Sequence, residues 1–459
     1  MSRLSTLFIA AAVLAVTPVL TGARAATVTV APGGLAEALG TASPGDTLVL
    51  APGIHPGPVS ITTPVTLEGQ PGAIIDGGGQ QSTVTVEAPG VTLRNLTVRN
   101  SGLSLFDQNS GIFLTKEAAG AVVENNDLID NLIGIYVWGA PDAMVRGNRV
   151  QGRTDLRRSE RGNGIQLWNA PGTKVVGNTV THGRDGIFVT TSKRNEFRDN
   201  RFENVRFAVH YMYTNDSEVS GNVSAGNDIG YAIMFSKNLV IRNNQSRGDR
   251  EHGLLLNYTI NSRIEDNVIA GRFATPAEIP AENDDVADSD VPREVGGLTE
   301  GARTGTLKCV FVYNTSKNIL RGNRFEDCEI GVHFTAGSER NSISGNAFIN
   351  NRTQVKYVGT RALDWSEKGR GNYWSDNPAF DLNGDGIADE AYRPNDMVDR
   401  VMWAFPAAKL LINSPGIQVI RWAQSQFPAL HPGGVMDSAP LMAPPGSDDP
   451  KNQERKAQP

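Results

Sequence analysis

Residues 207–236 read FAVHYMYTNDSEVSGNVSAGNDIGYAIMFS, and the spacing inside this stretch decides the fold. Two short apolar strands flank Val219-Ser220-Gly221-Asn222, an apolar residue followed three positions later by asparagine. Both units recur along the chain. The asparagine unit returns at Asn126, Asn148, Asn178, Asn200, Asn222, Asn244, Asn267, Asn323 and Asn346, with gaps of 22 or 23 residues broken only by one of 30 and one of 56. An apolar residue (Val123, Val145, Val175, Phe197, Val219, Ile241, Ile264, Leu320 or Ile343) stands three positions before each. The strand unit returns as GIFL at 111, GIYV at 134, GIQL at 164, GIFV at 186, AVHY at 208, AIMF at 232, GLLL at 253, CVFV at 309 and GVHF at 331. A period near 22 with short strands in each turn is the signature of an all-β, right-handed parallel β-helix, here of about 12 coils. Asparagines repeated at one corner can form a hydrogen-bonded ladder. A leucine-rich horseshoe fits poorly, because leucine is scarce and no helical period appears.

The strands around the opening stretch carry soft donors. Alternation turns Val209 and Tyr211 inward and His210 and Met212 outward. Aligning AVHY with AIMF turns Ile233 and Phe235 inward, places Met234 next to His210 in one outward column, and leaves Met212 beside them in the next. One imidazole and two thioethers are a donor set that suits Cu(I). His333 lies four coils from His210, roughly 19 Å at the inter-strand spacing, too far to join the same ion. The same alignment puts Phe113, Tyr136, Phe188, Phe311, Trp138, Trp168 and Tyr313 on the outside, and so many aromatic side chains need cover.

Around this core the reading divides the chain as follows. Residues 1–25 form a signal peptide, with an arginine, a short apolar run and Ala23-Arg24-Ala25, which directs the protein to secretion. Residues 26–360 form the β-helix, opened by a short helix in the LAEALG segment after Gly34 that caps the exposed end. A loop at 152–161 adds to one coil, and 271–305 inserts an acidic loop. No stretch is long enough to span a bilayer. Net charge is −6 before cleavage, and cleavage removes two arginines and no acid, a balance that excludes a nucleic-acid partner. With only two cysteines, Cys309 and Cys328, no disulfide framework holds the chain. Whether the two pair is left open.

Residues 361–396 contain Asp381-x-Asn383-x-Asp385-Gly386-x-x-Asp389, which matches nine positions of an EF-hand-like loop and makes Asp381, Asn383, Asp385 and Asp389 candidate Ca2+ ligands. Tyr392 stands where a bidentate glutamate is expected. Residues 397–442 are read as a helical docking segment. Ser414-Pro415 supplies an N-cap and first helical position for a helix at 415–426, and a shorter one is expected at 406–412. Its apolar side chains occupy more than one helix face and need a partner. Residues 443–459 read as a disordered tail.

Parallel β-helices often cleave or epimerise acidic polysaccharides, and a polysaccharide-binding protein or uronate lyase or epimerase is the alternative reading. Such chemistry needs clustered carboxylates over a groove. Asp185, Asp228, Asp327 and Arg340 do not fall at matching positions in adjacent outward columns, so no catalytic residue is assigned. The combination of AVHYMYTND, YAIMFS, HFTAGSERN, QVKYVGTR, GNYWSDN, FDLNGDGIAD and SPGIQVIRWAQ…PGGVMDSAPLM resembles the NosD family. That resemblance implies a non-enzymatic periplasmic accessory protein for the maturation of nitrous oxide reductase in denitrification. It also implies the partners: an ABC transporter permease and ATPase, a lipoprotein copper chaperone as donor, and apo-nitrous oxide reductase as recipient. Membrane contact would then run through the permease alone.

Overall fold

The computed structural model describes residues 25–272, 308–335, 337–359, 361–395, 398–399, 411, 414–426 and 434–446. Three parallel sheets build a right-handed β-solenoid: two have 13 strands and one has 12. Each coil adds one strand to each sheet, so from the second strand on, successive partners in these sheets lie three places apart in the chain. The expected β-helix is therefore present, with one coil more than expected in the two longer sheets. The signal segment and the acidic loop lie outside the described residues, apart from their last or first two positions.

The asparagine corner shows why one residue type recurs. Asn222 Oδ1 accepts the main-chain N–H of Asn200 and one N–H of its side chain, both at 3.0 Å. Asn222 Nδ2 donates to Asn244 Oδ1 and to the Phe197 carbonyl, each at 2.9 Å. The position needs two acceptor contacts and two donors in a dry site, and only an amide side chain supplies both. Phe197 is itself the apolar residue three before Asn200, so the two halves of the sequence unit meet in this bond. The residue before each ladder asparagine from Asn126 to Asn346 turns left-handed; at Gly221 (φ 66°) a Cβ would also lie 2.3 Å from Asp199 Oδ1.

Inside, register stacks like on like. Ile135, Ile165, Ile187, Val209, Tyr231 and Leu254 are successive partners in the 12-stranded sheet, and all are buried. Each aliphatic side chain so placed contributes about 1.5–3 kcal/mol of burial. Tyr231 satisfies its hydroxyl on the Asn222 and Gln245 carbonyls, both 2.8 Å away. Helix Leu35–Thr41 covers the first coil with fully buried Leu35, as the sequence suggests. Cys309 and Cys328 form a disulfide buried in the core.

The far end differs from the reading that closed the ladder at Asn346 and the solenoid at 360. Asn372 Oδ1 accepts from Asn346 at 3.0 and 2.9 Å, and Tyr373–Trp374 adds a strand beside Ala347–Ile349. The buried carboxylate of Asp437 then ends the ladder, accepting the Asn372 N–H at 2.6 Å and the Trp374 indole N–H at 2.8 Å. Val435–Met436 pairs with Leu363–Asp364. Part of the segment read as a docking extension is thus the seal of the last coil, which protects its open edge. Helix Pro415–Gln426 forms as expected, with Ser414 Oγ accepting the Ile417 N–H at 3.4 Å. The helix expected at 406–412 lies outside the described residues except at Leu411, as do Met402, Trp403, Phe405, Leu410, Ile412, Phe427 and His431.

Candidate metal centre

The three outer faces are unlike. Both 13-stranded sheets carry cross-coil and in-strand ion pairs, among them Arg94–Glu68 (2.7 Å), Arg242–Glu218 (3.0 Å), Lys174–Glu196 (3.0 Å) and Arg149–Asp127 (2.8 Å). Exposed pairs of this kind stabilise little and suit a solvated wall. The 12-stranded sheet instead carries Phe113, Tyr136, Gln166, Phe188, His210, Ala232, Leu255, Phe311 and His333 in one outer column. Tyr136, Gln166, Ala232, Leu255 and His333 in this column are buried, but of the seven aromatic side chains expected to need cover only Tyr136 is; Trp168 and Tyr313 are exposed.

His210 lies at its centre, on strand Phe207–Met212. Its Nδ1 is 2.9 Å from Asp185 Oδ2 on the preceding coil, and Arg206 Nε and Nη2 donate to Asp185 Oδ1 and Oδ2 at 2.9 and 3.0 Å. Burial alone would raise the Asp185 pKa, but the bonds and charges of His210 and Arg206 outweigh it and hold the carboxyl below its usual range. The Phe188 and Phe207 rings pack against the imidazole with centroids 4.9 Å away. Nε2 makes no hydrogen bond among the described residues. Sequence reasoning met Asp185 only as an isolated carboxylate.

The methionines sit differently from expectation. The structure pairs Met212 with Met234, and His210 with Ala232. The true strand unit on the second coil is Gly230-Tyr231-Ala232-Ile233, two positions earlier than AIMF. Alignment by small apolar residues skipped it because Tyr231, a large aromatic with a hydroxyl, is an inward core residue. Phe235 is correspondingly not inside: it lies in a left-handed turn (φ 48°) and is 37% exposed. His210, Met212 and Met234 nevertheless share one outer face, with two thioethers in direct cross-strand register and the imidazole two residues along. Tyr213, Phe235 and Tyr258, each one residue beyond this column, stack at 5.0 and 5.1 Å and rim the face with exposed rings.

The loop at 152–161 closes one side. Its short 3₁₀ turn Arg158–Glu160 sends Arg158 to the Asp228 carboxylate, which Arg250 also binds. Asp185 and Asp228 are therefore both occupied by arginines. His333, on the same column, is buried with neither ring nitrogen bonded; burial, then Lys308, Lys356 and His252, push it down to about 2, so it stays neutral. Both cysteines are consumed in the disulfide, and among the described residues no three His, Cys, Asp or Glu side chains are grouped to hold a metal ion. Among the described residues, His210, Met212 and Met234 stay the candidate soft donors on this face.

The calcium-like loop is self-satisfied. Asp381 accepts the N–H of Gly384 at 2.6 Å and Gly386 at 2.8 Å, Asn383 that of Asp385 at 2.9 Å, Asp385 that of Ile387 at 2.9 Å, and Asp389 that of Leu382 at 2.7 Å. These bonds fold a polar turn, and since no three His, Cys, Asp or Glu side chains among the described residues are grouped to hold a metal ion, the expected Ca2+ site gains no support.

Residues 146–379 match the family model described as periplasmic copper-binding protein (NosD). Two relatives named probable ABC transporter binding protein NosD, from Stutzerimonas stutzeri and Pseudomonas aeruginosa, are each 40% identical. The alignments cover 86% and 87% of this chain and 86% and 89% of theirs. A family 28 exopolygalacturonase from Yersinia enterocolitica superposes with a TM-score of 0.50 at 11% identity, over 73% of this chain and 77% of that one, a likeness of fold alone.

Proposed function

The chain belongs to the NosD family of periplasmic copper-binding proteins, and from that premise we propose that it carries Cu(I) as cargo for an ABC transporter system that matures nitrous oxide reductase. In this reading His210 Nε2 and the thioethers of Met212 and Met234 receive Cu(I) from a lipoprotein chaperone in the periplasm and release it toward apo-nitrous oxide reductase. One observation supports this above the others: Met212 and Met234 are in register on adjacent coils, on the outer face that also presents His210. Thioether and imidazole donors without thiolate hold Cu(I) while leaving it exchangeable. The cross-coil aromatic rim marks the same face as a surface for partners.

The reading is non-enzymatic. Asp185 and Asp228 are each bound by arginine, and neither is free to act as a general base. Contact with the transporter is assigned to helix Pro415–Gln426, on which Val419 and Trp422 are 61% and 63% exposed. Among the described residues no helix is long and apolar enough to cross a membrane, so the permease supplies the membrane contact.

Competition of the purified chain with a chromophoric Cu(I) chelator, under reducing conditions, tests the proposal. One tightly held ion is expected, with loss on replacing His210, Met212 and Met234 by alanine. A folded triple variant that binds like the parent would place the ion elsewhere.

A further inference from the structure

Asp185 reaches diagonally from one coil to His210 on the next, and the contacts around it dictate what each atom does. The Arg206 guanidinium has only donors, and it places one on each Asp185 oxygen, at 2.9 and 3.0 Å. Oδ2 takes the second of these and also lies 2.9 Å from His210 Nδ1. A carboxylate gripped in this way can only accept, so Nδ1 carries the hydrogen, and in the neutral ring the lone pair is on Nε2. Rotation of the ring is opposed by Phe188 and by Phe207, the latter edge-on at 87°. Phe207 is itself held by Arg206, whose guanidinium carbon lies 4.4 Å from the ring centre.

We propose that Asp185 is the positioning residue of the soft-metal site: it fixes His210 as the Nδ1–H tautomer and so presents Nε2 for Cu(I). This rests on the copper reading above. Arg206 has a distinct part in the device. By occupying both carboxylate oxygens it withholds a hard oxygen ligand from the ion, which leaves an imidazole–thioether set selective for Cu(I) over Zn(II) or Ca(II). A carboxylate behind a ligating histidine raises ligand basicity and orients the ring, and its loss lowers metal affinity by about 10–100-fold.

Two readouts separate this inference from the reading it rests on. In metal-free protein labelled with ¹⁵N-histidine, long-range proton–nitrogen correlation reports the His210 tautomer, assigned by its disappearance in His210→Ala. The parent should show Nδ1–H alone, and Asp185→Asn a mixture containing Nε2–H, together with about 10–100-fold weaker Cu(I) binding. Asp185→Asn/Arg206→Met, which removes both charges, serves if the single variant fails to fold. A parent already in the Nε2–H form, or variants that keep both tautomer and affinity, would overturn the role of Asp185. Unchanged Cu(I) affinity in His210→Ala would instead sink the copper reading, while the tautomer spectra still decide what Asp185 does.

Discussion

Removing one rung from the middle of the asparagine ladder should cost far more than an exposed polar substitution. Asn222→Ala strands three buried partners. The Asn200 main-chain N–H and one Asn200 side-chain N–H lose their shared acceptor at 3.0 Å, and the Phe197 carbonyl loses its donor at 2.9 Å. Asn244 Oδ1 retains the Asn222 main-chain N–H at 3.1 Å, so that side of the rung is only half lost. Each unsatisfied buried group costs about 1–3 kcal/mol. Neighbouring rungs share partners and will not add fully, so we expect a loss of about 3–6 kcal/mol. Asn243→Gly, beside the next rung Asn244, is the control: its backbone is left-handed (φ 54°) and its side chain exposed, so glycine should change stability by only a few tenths of a kcal/mol. Urea unfolding followed by far-ultraviolet circular dichroism reads both. A loss below 1 kcal/mol for Asn222→Ala would refute the claim that dry, fully satisfied amides hold this corner together.

Three further outcomes follow from the same structure. Burial raises Asp249 to about 6 from 3.8, despite bonds from Ser246, Ser224 and Asn227, so the folded protein binds this proton more tightly than the unfolded chain. The associated stability, about 3 kcal/mol, is complete below pH 3.8 and lost as pH rises through about 6; Asp249→Asn should match the parent at pH 4 and exceed it at pH 8 in denaturant melts. The buried disulfide closes a separation of 19 residues, so replacing Cys309 and Cys328 by serine should cost about 3 kcal/mol or more, read by the same melts. Val419→Ser with Trp422→Ser removes two exposed side chains and should leave the melting temperature unchanged while weakening co-purification with the transporter; unchanged co-purification would remove the helix from the interface.

Much of this architecture is written locally. The asparagine spacing and the apolar residue three before it are legible because every coil must repeat the same bond to the same carbonyl. The helix at Pro415 is legible because Ser414 is a cap that acts on its own neighbours. Register is a different matter. Pattern matching starts the second strand unit at Ala232 and leaves Tyr231 out of it, whereas the Tyr231 hydroxyl finds two carbonyls inside the solenoid and the unit begins at Gly230; that shift of two positions moved Met234 from beside Met212 to beside His210. The Asp185–His210 bond is diagonal between coils and has no sequence signal beyond an acid just before a strand. The seal by Asp437 lies 65 residues beyond Asn372, the rung it closes, with nothing nearby in the chain to announce it.

The most direct test of the copper site is X-ray absorption at the copper edge of the Cu(I)-loaded chain. We expect a mixed first shell of one imidazole nitrogen and two thioether sulfurs, with the sulfur contribution reduced in Met212→Ala and in Met234→Ala and the imidazole scattering lost in His210→Ala. A shell of nitrogen and oxygen alone, or one unchanged in all three variants, would contradict a Cu(I) site built from His210, Met212 and Met234.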